Sequence, residues 1–280
     1  MKVVVAVDGS KFSTWAIEWL SRVPFTSPPQ VLAVHVIDTG AVRAPVMVQP
    51  PVLAIAPYLR AEIKKLEDGA TVIKAQAEAM LRKTGLRGRV VIEHGPVAPT
   101  VLRHAVKRGL VMVGHRGLDP VDWFLLGSVS EKVVQHAPCS VFLAKQPARR
   151  FRRLLLATDG SRPSAKALDF LLRNVRASKT AKIEVAVVHV MPLLRYPELK
   201  TRGPALLARY AERLTAAGYA VRQFPELGNP ADQIIQTAEK LKSDLVVCGA
   251  KGLGAVARFL LGSVSRKLIQ HAPCSVLVVR

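Results

Sequence analysis

Two stretches of this chain carry glycines and serines at one spacing, Gly114-x2-Gly117-x9-Gly127-Ser128 and Gly249-x2-Gly252-x9-Gly262-Ser263. Glycine lets backbone N–H groups approach an anion with no Cβ in the way. A helix that starts at Gly-Ser adds unbonded N–H groups, hydroxyls and the positive end of a dipole. The chemistry is that of a phosphate cradle, and it is present twice. Ser128 followed by Glu131 also fits a capping box, in which the serine only starts its helix; the second copy has Arg266 at the matching place.

Other phosphate and catalytic vocabularies are missing. No G-x4-G-K-[ST] loop occurs, and neither Gly114-His-Arg-Gly117 nor Gly249-Ala-Lys-Gly252 completes G-x-G-x-x-G; G-x-S-x-G and H-E-x-x-H are absent as well. His115 and Arg116 are the best candidates for a base and a phosphate-stabilising arginine, yet the second copy has Ala250 and Lys251 there. No catalytic residue is assigned. His136-Ala-Pro-Cys139 and His271-Ala-Pro-Cys274 hint at a metal site, but proline ends a helix and the cysteine then enters an apolar strand as a small hydrophobe. With Cys248 the cysteines number three and none lies in C-x-x-C, which argues against a disulfide framework and for a reducing compartment.

The elements that position these residues are written twice. Residues 125–141 and 260–276 agree at 14 of 17 positions, and Val3-Val4-Val5-Ala6-Val7-Asp8-Gly9-Ser10 is matched by Leu154-Leu155-Leu156-Ala157-Thr158-Asp159-Gly160-Ser161. The spacing predicts two tandem domains, 1–146 and 150–280. Short apolar runs alternate with segments of helical period, the signature of a parallel sheet covered by helices on both faces. Strands are expected at Val3–Val7, Val31–Val36, Arg89–Ile92, Leu110–Val113 and Ser140–Leu143, with helices at Ser13–Ser21, Tyr58–Thr84, Thr100–Lys107 and Ser128–His136. The second half repeats the order: strands at Arg153–Ala157, Ile183–Val190, Ala220–Phe224, Leu245–Cys248 and Val276–Val279, helices at Ser164–Val175, Arg202–Ala217, Ala231–Leu241 and Ser263–His271. Asp8 to Gly114 is 16 residues longer than Asp159 to Gly249, and most of the excess is a proline-rich stretch at about 38–57, read as a flap, an interface segment or a neutral insertion.

Asp8 and Asp159 end the first strand of each half, on the edge where open α/β sheets place ligands. A carboxylate there can accept from a sugar hydroxyl or hold a phosphate-bound cation, or Asp-Gly-Ser can simply turn the chain and cap a helix. His35 and His189, near the ends of the second strands, read as packed imidazoles.

Net charge is +21, with 18 Lys/Arg against 11 Asp/Glu in 1–147 and 23 against 9 in 148–280. Such a surplus attracts polyanions, so non-specific association with nucleic acid is expected; with aromatics at 5%, no base-reading element is visible and a solvated basic surface accounts for the charge. No apolar run reaches the length of a membrane span, and MKVVVAVDGS lacks a cleavage site, so a cytoplasmic location without membrane partners is expected.

Taken together, V-A-V-D-G-S, the H-V pair of the second strand, G-x2-G-x9-G-S and H-A-P-C-S-V resemble the universal stress protein family in its tandem form, over essentially the whole chain. The resemblance implies five-stranded parallel sheets of order 3-2-1-4-5 in an adenine-nucleotide α-hydrolase-like fold. It implies ATP as ligand, with ADP or AMP as alternatives and Mg2+ carried on the phosphates. Site 1 would use Val7, Asp8 and Val36 for adenosine, and Gly114, Gly117, Gly127, Ser128, Val129 and Ser130 for ribose and phosphates. Site 2 would use Thr158, Asp159 and Val190, then Gly249, Gly252, Gly262, Ser263, Val264 and Ser265. Asp119 and Asp122 depart from the pattern in the first loop, where the second has Arg258. The family also implies that Val141–Lys145 and Val276–Arg280 pair edge to edge, as an intramolecular pseudo-dimer, and leaves room for a homodimer of chains. The function expected is a nucleotide-controlled regulatory protein of the stress response, the alternatives being a slow ATP hydrolase and a non-specific nucleic-acid-associated protein.

Overall fold

The computed structural model describes residues 1–38, 40, 56–117, 126–177, 183–191, 196–252 and 261–280. Nearly all of the proline-rich stretch lies outside these residues, as do Asp119, Asp122 and Arg258. The first half runs β1 (Lys2–Ala6), α1 (Lys11–Arg22), β2 (Gln30–Ile37), α2 (Ala56–Lys83), β3 (Gly88–His94), α3 (Val97–Arg103), β4 (Leu110–Gly114), α4 (Ser128–His136) and β5 (Ser140–Ala144). The second half runs β6 (Arg153–Ala157), α5 (Arg162–Asn174), β7 (Glu184–Met191), α6 (Tyr196–Ala216), β8 (Ala220–Leu227), α7 (Pro230–Lys240), β9 (Leu245–Gly249), α8 (Ser263–His271) and β10 (Ser275–Val279).

All ten strands form one sheet in the order β3-β2-β1-β4-β5-β10-β9-β6-β7-β8. Each half is parallel and in the order 3-2-1-4-5 that the family resemblance implies. The halves meet where β5 and β10 pair antiparallel, Val276 opposite Leu143, Leu277 opposite Phe142 and Val278 opposite Val141. Every residue of β4, β5, β9 and β10 is buried. An unpaired β5 would leave a buried strand's backbone N–H and C=O groups without partners, and β10 covers that edge. The outer strands β3 and β8 are polar and half exposed, and Pro225 sits in β8, where an edge tolerates a missing N–H donor.

One apolar layer on each face of the sheet draws residues from both halves, so the core is continuous across the junction. Trp19 anchors it, with its ring 5.4 Å from Phe142 and 6.4 Å from Phe151 and its Nε1 donating to the Gln146 carbonyl at 2.8 Å. The connecting segment is pinned by Asp244, whose Oδ2 accepts from the backbone N–H groups of Arg152 (2.9 Å) and Arg153 (2.8 Å).

Two expected helices differ from those observed. Thr100–Lys107 is instead Val97–Arg103, because Pro96 caps the start with an extended backbone and Arg108, at φ 64, turns the chain soon after its end. The helix expected from Arg202 begins at Tyr196 and carries Pro204 in its interior. Phe142→Ala would leave a cavity between Trp19 and Leu277 at the junction, so it should cost about 3–5 kcal/mol of stability in urea unfolding; a change within about 0.5 kcal/mol would show that the junction does not carry the fold.

Candidate functional site

Each half folds its Asp-Gly-Ser into one corner at the carboxyl edge of the sheet. Asp8 Oδ1 accepts from the Ser10 N–H at 2.9 Å, Gly9 takes φ +80, and Ser10 caps α1 by accepting from the Ser13 N–H at 3.2 Å. Asp159, Gly160 (φ +78), Ser161 and Ser164 repeat this at 3.0 and 3.3 Å. The turn-and-cap role is thus real, but it uses one carboxylate oxygen. The other faces the glycine loop: a Cβ on Gly117 would stand 2.8 Å from Asp8 Oδ2, and one on Gly252 2.7 Å from Asp159 Oδ2. The carboxylate and the loop backbone share one small space, and a side chain on either glycine would push the carboxylate oxygen aside.

The three glycines of each motif do separate work. Gly114 ends β4 against the first turn of α1, where a Cβ would meet Phe12 Cβ at 2.6 Å; at Gly249 it would meet the Pro163 carbonyl at 2.7 Å. Helix packing alone therefore demands these two. Gly127 and Gly262 are the N-caps of α4 and α8, and their N–H groups donate back to His115 (3.0 Å) and Ala250 (2.9 Å), which seats each helix start on its own loop. Neither cap supplies a side-chain bond, and the first intrahelical bond in each is Glu131 N–H to Gly127 or Arg266 N–H to Gly262. The N–H groups of Ser128, Val129 and Ser130, and of Ser263, Val264 and Ser265, thus have no acceptor within the helix. Ser128 and Ser263 are exposed first-turn residues, so the capping-box alternative does not occur.

Ser130 and Ser265 each commit their hydroxyl to a bond between helix and strand. Each is buried and donates its hydroxyl to the carbonyl of its strand-ending glycine, Gly114 or Gly249, at 2.7 Å. Their side chains fasten helix to strand, and only their backbone N–H groups remain for an anion.

Val7, Val36, Thr158 and Val190 are buried at the adjoining strand ends. The Val7 N–H donates to Val34 at 3.0 Å, and His35 donates from Nδ1 to the Val7 carbonyl at 2.8 Å; Thr158, Val188 and His189 reproduce both bonds at 2.9 and 2.8 Å. The histidines are braces of the strand end. Thr158 Oγ1 also lies 3.1 Å from Ser164 Oγ, a contact the first half lacks because Val7 has no hydroxyl.

A family model described as "Universal stress protein family" matches residues 1–145 and again 150–280. The chain belongs to the universal stress protein family. A universal stress protein of Mycolicibacterium smegmatis is 30% identical over 99% of this chain and 96% of its own length, and a putative universal stress protein of Staphylococcus haemolyticus is 34% identical over 46% of the chain and 85% of its own. Among solved structures, a universal stress protein from Archaeoglobus fulgidus superposes with TM-score 0.72 at 20% identity, covering 100% of this chain and 98% of its own, which is a likeness of fold. Relatives that match the whole chain and relatives that match about half of it are therefore both found.

Sequence reasoning missed Lys145 and Arg280, which follow Cys139 and Cys274 at the same distance. That shared spacing of a basic residue was the available signal. Among the described residues no cluster of His, Cys, Asp or Glu could hold a metal ion. The three cysteines are buried and free, and burial pushes the thiols of Cys139 up to about 11 and of Cys248 and Cys274 up to about 12, as fits apolar core residues.

His115 is where the halves differ. It is buried, its ring lies 6.4 Å from Phe12, and burial, with the Lys145 and Arg116 charges, lowers its pKa from 6.5 to about 4. In that window the unfolded chain takes up a proton that the folded chain refuses, so stability is whole above 6.5 and falls as pH drops towards 4. His115→Gln should flatten that part of a pH series of urea midpoints; an unchanged slope would show that another group is responsible.

Proposed function

We propose that this chain binds adenine nucleotide at two sites, one at the carboxyl edge of each half-sheet, and acts as a nucleotide-controlled regulatory protein of the cytoplasmic stress response. One observation carries the reading: in both halves a glycine-capped helix start aims three N–H groups without intrahelical acceptors beside a carboxylate held against a loop glycine. An anion at such a helix start gains from the N–H groups and the dipole together. Asp8 and Asp159, each holding one oxygen towards the loop, suit a ribose hydroxyl. Val7, Val36 and their counterparts Thr158 and Val190 offer the apolar floor for a base. Residues carrying the phosphates are Gly117, Gly127, Ser128, Val129 and the Ser130 N–H, with Gly252, Gly262, Ser263, Val264 and the Ser265 N–H in the second half. Any Mg2+ would be held through the phosphates.

Binding rather than hydrolysis is the reading because the one basic side chain of the first loop that could abstract a proton, His115, is buried and its place is Ala250 in the second half. The two sites also differ in charge at the first turn, Glu131 against Arg266, both exposed. An exposed charge near a phosphate shifts affinity by up to about 1 kcal/mol, so the second site should be the tighter.

Calorimetric titration with ATP should return two sites per chain. Gly127→Val and Gly262→Val, which place methyl groups over the loop backbone, should each leave one, with tighter binding in the former by up to about tenfold. No binding by the unmodified chain, or two sites retained in either variant, would overturn the assignment.

A further inference from the structure

We propose that Lys145 and Arg280 are positioning residues, each for the phosphate-binding helix of the other half, so that the helix of each site is capped at its far end by a cation from across the junction. The proposal rests on the nucleotide reading above and deepens it.

Lys145, just past β5, donates from Nζ to the carbonyls of Ile269 (3.3 Å), Gln270 (3.0 Å) and Ala272 (2.7 Å), the carboxyl end of α8. Arg280, just past β10, donates from its guanidinium to Val134 (2.6 Å) and Gln135 (3.0 Å), the carboxyl end of α4. The backbones are crossed in the same way: Lys145 N–H donates to Ser275 Oγ at 3.2 Å and Arg280 N–H to Ser140 Oγ at 3.5 Å. Two different cations thus make one arrangement twice, about the antiparallel β5–β10 pair.

The helices need it. Each is nine residues long, too short to be stable by itself, and its glycine N-cap gives no side-chain bond. Its carbonyls at the far end are otherwise short of partners, and a cation there is matched to the negative pole of the dipole whose positive pole faces the phosphate. The link continues into the loops. Ala144, beside Lys145, accepts from the His115 N–H of the first loop, and Val279, beside Arg280, accepts from the Ala250 N–H of the second, both at 2.8 Å. A strand end therefore holds its own glycine loop with one residue and the opposite helix with the next.

The two caps differ in chemistry. Burial lowers the Lys145 pKa to about 8, opposed by Cys274. The ionisable groups that interact with it are Cys274, from the turn before β10, and His115 of the first loop, while Arg116 acts on His115 and Asp244 on Cys274. Of these, the His115 and Cys274 transitions lie near 4 and 12, away from that of Lys145. Site 2 should accordingly lose affinity as pH rises through about 8. Site 1, capped by an arginine, should not.

The test uses the full chain with one site disabled. In the Gly127→Val background, where only site 2 binds, Lys145→Met should weaken ATP about tenfold and Arg280→Met less than about twofold; in the Gly262→Val background the two effects should exchange. Lys145→Arg should keep site 2 affinity and remove its pH dependence. No ATP binding by the unmodified chain would overturn the nucleotide reading and this proposal together. Intact binding with losses that follow each residue's own half, or strike both halves alike, would overturn this proposal alone.

Discussion

The antiparallel pairing of β5 with β10 is the constraint on which the rest depends. Two five-stranded parallel sheets each end in a strand whose every side chain is buried, and neither could face water at that edge. Joining them turns two open edges into the centre of a ten-stranded sheet and makes one core of two. It also sets the functional geometry. Because the strands run in opposite directions, the residue that leaves each of them meets the helix that enters the other, so Lys145 and Arg280 reach across to α8 and α4.

The phosphate-cradle pattern is a division of labour more than a set of equivalent ligands. Gly114 and Gly249 are glycine because a helix backbone presses on them, whereas a Cβ at Gly117 or Gly252 would meet a carboxylate oxygen. Gly127 and Gly262 start helices whose first N–H groups have no acceptor within the helix. Ser130 and Ser265 tie those helices to the strand ends. A motif whose every position could be taken for a ligand contact is thus about half scaffold, and that scaffold holds the helix starts in place.

Much of the fold was legible because the repeat doubled every signal. The apolar runs and the ranges of α4 and α8 could be read from either copy, each confirming the other, while the strand order followed from the family resemblance. What escaped were helix ends and contacts between distant residues. α6 starts ahead of Pro204, a residue that reads as a helix breaker, and α3 is cut short between Pro96 and Arg108, whose positive φ no residue type announces. The hydroxyl bonds of Ser130 and Ser265 look the same in sequence as phosphate contacts, since a serine near a helix start serves either purpose. The crossed caps could not be found from either half alone, because each donor and its acceptors lie more than 120 residues apart.

Native mass spectrometry of the intact chain, purified without added nucleotide and then mixed with ATP, tests the central claim most directly. The account predicts species heavier by one and by two adenine nucleotides, reaching two per chain as ATP rises. A chain that keeps its folded charge distribution yet takes up no nucleotide at millimolar-scale ATP would contradict it.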